Sequence, residues 1–247
     1  MAIHTTDAIV LRRYPFQETS LIVSCLTPEF GKIKGLIKGI RGAARSRHRS
    51  AMEPITRNRI VFYDTRASQL HLISQCDLLD PLSRIQSDLE TASLAAFFVD
   101  LAETVVPLED PQPRLYHLLK DTLERLAIGG MDAAELRVRV VLRMLRLAGF
   151  EPQVDQCTSC NAKVEGSGFW SGRAGGLLCG RCLHVDADAE NMSGIQLETL
   201  KRLSDQDAGS VTDQTILSVL RRHLDEFLAW RLDRPLRTQR IHTGWRA

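Results

Sequence analysis

Between Asp7 and Asp77 the chain reads as five short stretches rich in β-branched and aromatic residues, at 7–13, 19–27, 30–38, 57–64 and 69–77, each bounded by turn residues. A period near two sends successive side chains to opposite faces of an extended chain, so each stretch predicts a short strand with one face buried. Pro15 interrupts the first pair, Pro28 separates the second strand from the third, and the Gly/Arg/Ser-rich stretch 39–54 joins the third to the fourth. Five strands with that spacing predict a Greek-key barrel of the OB type, with an SH3-like barrel as the nearest competitor.

After Pro81 the period moves toward 3.6. Leu89, Leu94, Phe97, Phe98, Leu101 and Val105 form the apolar side of a helix over about 83–105. A second helix follows Pro111 and Pro113 and stops at Gly129-Gly130; a third starts near Asp132 and ends at Gly149. Two more are expected near 194–204 and 212–231. The predicted class is therefore α+β, an OB-type barrel in a domain over 1–80 followed by a helical domain over 81–247. A non-helical insertion at about 150–192 interrupts the helices.

Composition narrows the class. With 44% hydrophobic and 25% charged residues over 247 positions, the chain has the make-up of a globular protein. Its longest uninterrupted apolar run, Leu94–Val99, is far short of the roughly 18 residues that cross a bilayer, and the first twenty residues lack a signal-peptide core. The expectation is a cytoplasmic protein with no membrane partner.

The insertion carries Cys157-Thr-Ser-Cys160 and Cys179-Gly-Arg-Cys182. Two residues between thiols let each pair wrap one side of an ion, and a spacer with Phe169, Trp170, Gly175 and Gly176 can form a hairpin that brings the pairs together. The pattern predicts one structural Zn²⁺ held by Cys157, Cys160, Cys179 and Cys182, a finger whose closed sulfur shell leaves no position for a substrate. Two disulfides or four unrelated thiols are the alternatives; disulfides fit poorly with a cytoplasmic chain that also carries Cys25 and Cys76.

Charge is unevenly distributed. Residues 1–80 hold twelve Lys/Arg against seven Asp/Glu, an excess of five, whereas the rest of the chain is net negative by three. From Lys32 to Arg49 there are seven basic residues and no acid. Alternation would line Lys32, Lys34 and Lys38 on the outer face of a strand, with Arg41, Arg45, Arg47 and Arg49 on the loop after it and Arg57 and Arg59 on the fourth strand. Such a surface suits a phosphate backbone more than particular bases, although most charge runs are only solvated faces. On the third helix, Arg137, Arg139, Arg143 and Arg146 lie beside an apolar stripe. They are either the wet side of a bundle helix or the rim of a groove for an acidic, hydrophobic peptide. The phosphate-loop, dinucleotide, nucleophile-elbow and zinc-deaminase motifs are all missing, so no enzymatic activity is expected.

The whole order of features resembles the RecO family of bacterial recombination mediator proteins. The resemblance is carried by Asp7-Ala-Ile-Val-Leu, Tyr14-Pro-Phe-Gln-Glu-Thr-Ser20, Leu26-Thr-Pro-Glu-Phe-Gly-Lys32 and Lys38-Gly-Ile-Arg41, by Gly149-Phe-Glu-Pro152 ahead of the cysteines, and by Arg222-His-Leu and Arg234-Pro-Leu236. It implies a non-enzymatic DNA repair factor that binds single- and double-stranded DNA and anneals complementary strands. It further implies two partners, RecR and the acidic C-terminal tail of single-strand binding protein, and an indirect one, RecA, which it helps to load at the nucleoid. A zinc-stabilised RNA or ribosome binder without mediator activity is the competing expectation.

Overall fold

The computed structural model describes residues 2–40, 52–65, 69–130, 132–204, 209–232 and 235–238. They fall into two compact units, Met1–Gly129 with Arg237–Ala247, and Gly130–Leu236.

In the first unit, β1 (Ile3–Phe16), β2 (Ser20–Thr27), β3 (Gly31–Ile37), β4 (Arg57–Tyr63) and β5 (Leu70–Asp80) close a barrel in the order β1-β2-β3-β5-β4. β1 pairs antiparallel with β4 to complete the ring, and β3 pairs with β5 in parallel. This crossover is the OB-type arrangement expected above. Ala8, Val10, Val23, Cys25, Ile33, Ile60 and Phe62 fill the interior, each no more than 1% exposed. At Gly35 a Cβ would lie 2.3 Å from Ile73 Cδ1, so the absence of a side chain makes room for the isoleucine.

A bulge in β1 decides one side chain's direction. Val10 faces Cys25 across the β1–β2 ladder, but the register then skips, so that Arg12 stands opposite Ser24. Strict alternation from Ala8 and Val10 would turn Arg12 into the barrel; the extra residue re-aims it to the outer face.

That face is covered by α1 (Leu89–Val105), whose Asp88 cap accepts from Thr91 N at 2.8 Å. Asp100 and Glu103, three apart and on one side of the helix, meet the barrel. Arg12 Nη2 reaches Asp100 Oδ1 at 2.6 Å, Ser24 Oγ donates to Glu103 Oε2 at 2.6 Å, and Lys32 Nζ donates to the Glu103 carbonyl at 2.5 Å. Thr238 N approaches the other oxygen of Asp100 at 3.3 Å. α2 (Pro113–Ile128) starts on its proline and packs Leu115, Leu119 and Leu123 inward. The change of period near residue 80 thus ends the barrel without ending the compact unit, which keeps α1 and α2.

The second unit contains α3 (Ala133–Leu147), α4 (Gly194–Ser204) and α5 (Gln214–Arg231) around a small sheet of order β7-β6-β8, formed by β6 (Gly168–Ser171), β7 (Gly176–Leu178) and β8 (Glu190–Met192). Trp170 of β6 is fully buried, stacks on the His223 ring at 5.6 Å and donates Nε1–H to the His223 carbonyl at 3.1 Å. The inserted segment is therefore anchored to α5 by an aromatic plug. Among the described residues no helix is long and apolar enough to cross a membrane.

Candidate functional site

The two cysteine pairs occupy tight turns. Cys157 N donates to the Ala162 carbonyl at 2.8 Å and Asn161 N to the Cys157 carbonyl at 2.9 Å, with Asn161 in a left-handed conformation; Cys182 N donates to the Cys179 carbonyl at 2.9 Å. These turns bring the four sulfurs within 4.8 Å of one another, with Cys160 and Cys179 Sγ 3.7 Å apart. A disulfide needs about 2.05 Å, and all four cysteines are free. A regular tetrahedron with metal–sulfur bonds of about 2.3 Å has sulfurs about 3.8 Å apart, so the cluster fits a tetrahedral dication such as zinc.

Local electrostatics agree with that fit. Burial opposes ionisation of Cys157, but backbone N–H groups of Cys179, Cys160 and Ser159 outweigh it and bring the thiol down to about 6. At Cys182 a hydrogen bond with Ser159 favours the thiolate, while those with Cys160, Cys179 and Cys157, together with burial, push it up to about 12. Four close sulfurs compete for charge among themselves; a dication is what lets all four ionise at neutral pH.

The lysine ladder needs correction. Lys32 is only 7% exposed and its ammonium is committed to the Glu103 carbonyl under α1, so it does not belong to an exposed row. Lys34 is half-buried, paired in register with Ser24 and Leu70, and Lys38 is exposed just beyond the end of β3. On β4, Arg59 is exposed with its Nε 3.0 Å from Asp7 Oδ1, and Arg57 is half-buried with Nη1 3.2 Å from Glu124 Oε1. Arg41, Arg45, Arg47 and Arg49 lie outside the described residues.

The helix arginines are largely engaged by neighbours in their own unit, and Arg146 stays exposed. Arg137 is 8% exposed and its Nη2 sits 2.7 Å from Asp225 Oδ1 of α5; burial lowers its pKa, against the pull of that carboxylate. Arg139 bonds Glu135 at 2.8 Å and the Gly209 carbonyl at 2.6 Å, and Arg146 bonds Glu151 at 2.6 Å and the Ser204 carbonyl at 3.0 Å. Arg143 is half-buried. Several of these side chains therefore tie α3 to its own unit.

One feature has no sequence signal. A polar cleft in the first unit is lined by Asp7, Glu29, Arg59, Tyr116, His117 and Lys120, contributed by two strands, the β2–β3 turn and α2. Tyr116 and His117 read in the sequence as ordinary positions in an amphipathic helix, and only the packing of α2 beside the barrel brings them to Asp7 and Glu29.

Comparison with known proteins accounts for nearly the whole chain. The family model described as "Recombination protein O N terminal" matches residues 1–82, and "Recombination protein O C terminal" matches residues 86–240. A protein of Pelotomaculum thermopropionicum named DNA repair protein RecO is 29% identical over 242 residues, 96% of this chain and 93% of that one. Proteins of the same name are 32% identical in Desulforudis audaxviator, over 81% of this chain and 78% of that one, and 30% identical in Bacillus pumilus, over 90% and 88%.

Proposed function

The chain belongs to the RecO family of DNA repair proteins, and on that premise we propose that it binds single- and double-stranded DNA through its barrel and anneals complementary strands. With RecR, it assists RecA in replacing single-strand binding protein on DNA, acting in the cytoplasm at the nucleoid. The observation that carries this reading is the charge of the barrel segment: seven basic residues and no acid between Lys32 and Arg49. With Lys32 turned to α1, the candidate phosphate contacts are Lys34, Lys38, Arg41, Arg45, Arg47, Arg49, Arg57 and Arg59.

The acidic tail of single-strand binding protein remains a partner in this reading. Arg137, held by Asp225, and Arg139, held by Glu135, are not assigned to it. One Zn²⁺ on Cys157, Cys160, Cys179 and Cys182 has a structural role, holding the two cysteine turns against each other. No catalytic step forms part of the proposal.

Titration of a fluorescent single strand at several salt concentrations tests the DNA surface. If about five side chains meet phosphates, log K falls against log salt with a slope of about −3.5, and each contact removed makes it shallower by about 0.7. A slope unchanged in a Lys34→Ala, Arg41→Ala double variant would move the DNA site elsewhere. Annealing of strands already coated with single-strand binding protein separates a mediator from a plain nucleic-acid binder, which the coat would block.

A further inference from the structure

The cleft beside β1 and α2 has a volume of about 380 Å³, within the roughly 300–1,000 Å³ of small-ligand sites. Tyr116 is 2% exposed and borders it, yet among the described residues nothing hydrogen-bonds its hydroxyl. Burial, and then the nearby Asp7 carboxylate, push the phenol up to about 12, so it stays a hydroxyl able to donate or accept. A hydroxyl with no protein partner among the described residues is open to a partner that enters the cleft.

The carboxylates are each half used. Asp7 Oδ1 takes Arg59 Nε at 3.0 Å and Glu29 Oε2 takes Thr6 Oγ1 at 2.5 Å, which leaves one oxygen on each without a hydrogen bond among the described residues. Among the described residues Arg59 is likewise engaged only through Nε, and Lys120 reaches Glu124 at 3.2 Å. Two cations and two carboxylates leave the lining without net charge. A bare phosphate or an acidic peptide would meet two repelling carboxylates, whereas a planar group with an N–H donor, an acceptor on its ring edge and an attached phosphate matches these elements.

We infer that the cleft receives one unpaired, amino-bearing nucleobase of a DNA single strand, cytosine or adenine. Its exocyclic amine donates to the open oxygen of Asp7 or Glu29, Tyr116 hydrogen-bonds its ring edge, and its flanking phosphate meets the terminal nitrogens of Arg59. Thymine presents a carbonyl where cytosine presents its amine, so it faces the carboxylates with the wrong polarity. In a duplex the amine is engaged by the partner base, so the cleft favours single strands. This inference rests on the DNA-binding reading above.

The test is fluorescence anisotropy of the full chain with oligo-dC and oligo-dT of equal length, at neutral pH and several salt concentrations. Oligo-dC is expected to bind about threefold to tenfold more tightly, the yield of one or two net hydrogen bonds. Tyr116→Phe and Glu29→Gln should each bring that ratio toward one while leaving the salt slope unchanged. Glu29 is exposed, so its variant decides the matter if Tyr116→Phe melts early. Equal affinity for both oligonucleotides with a steep salt slope overturns the base site and leaves the DNA-binding reading standing. A preference retained in both variants also overturns it. Failure to bind either oligonucleotide overturns the DNA-binding reading and the base site with it.

Discussion

Replacing Lys32 by methionine distinguishes a lysine that holds the fold from one that holds DNA. The substitution keeps the aliphatic stem and removes only the ammonium, which lies 2.5 Å from the Glu103 carbonyl in a site where Lys32 is 7% and Glu103 3% exposed. Losing a charged hydrogen bond costs about 1.5–3 kcal/mol. Removing a cation next to a residue whose own carboxylate is buried adds to that, since a buried charge whose surroundings lose a counter-charge is destabilised by up to about 3–5 kcal/mol. Release of the buried ammonium from its desolvation works in the opposite direction, so the expected net loss is about 2–3 kcal/mol. Urea denaturation monitored by circular dichroism should show a lower midpoint for Lys32→Met, and Lys34→Ala should leave the midpoint nearly unchanged. Oligonucleotide titration of the folded variants should show the reverse order, with the salt slope shallower by about 0.7 only for Lys34→Ala. A Lys32→Met protein as stable as the parent, with a slope reduced by one phosphate contact, would refute the assignment of Lys32 to the α1 interface.

Three further outcomes follow from the second unit. Protein never exposed to chelator should contain about one equivalent of zinc, and Cys157→Ser should lose it together with cooperative melting of the finger, because metal binding there is coupled to folding; a metal-free protein with an unchanged melt would exclude a structural ion. Arg137→Ala should lower the stability of its unit by about 1–3 kcal/mol by leaving Asp225, whose side chain is 36% exposed, without its partner; unchanged thermal melting with weakened peptide-tail binding would restore this residue to a docking surface. His223, 1% exposed between Trp170 and Glu190, has its pKa lowered by burial, against the pull of Glu190, so the folded chain keeps it neutral to lower pH than the unfolded chain does. Below its ordinary value of about 6.5 the unfolded chain binds a proton that the folded chain does not, so stability should fall as pH drops from 7 toward 5, and thermal melts of His223→Gln should lack that part of the pH dependence.

The elements of this fold were legible because local forces produce them. The strands expected at 19–27, 30–38 and 57–64 correspond to Ser20–Thr27, Gly31–Ile37 and Arg57–Tyr63, and the third helix, expected from near Asp132 to Gly149, runs over Ala133–Leu147. Period, caps and glycine stops act over a few residues and can be read in one dimension. The cysteine quartet was legible for a similar reason, since two-residue spacing within each pair prescribes the turn, and the spacer prescribes the hairpin that joins the turns.

The destinations of the charged side chains were not legible in this way. Alternation places Lys32 and Lys34 on the same outer face of β3, and nothing local says that α1 arrives from more than fifty residues away to cover the first of them. A one-residue bulge turns Arg12 outward to Asp100, eighty-eight residues on, and the same separation joins Arg137 to Asp225. The cleft at Tyr116 exists only because α2 lies beside β1 and the β2–β3 turn. Local sequence thus decides which segments become strands, helices and a pair of cysteine turns able to hold a metal. Tertiary packing decided which cations face water and which face a buried acid, because a long charged side chain takes its energy from the dielectric and the partner it meets, and both are supplied by segments distant in the chain.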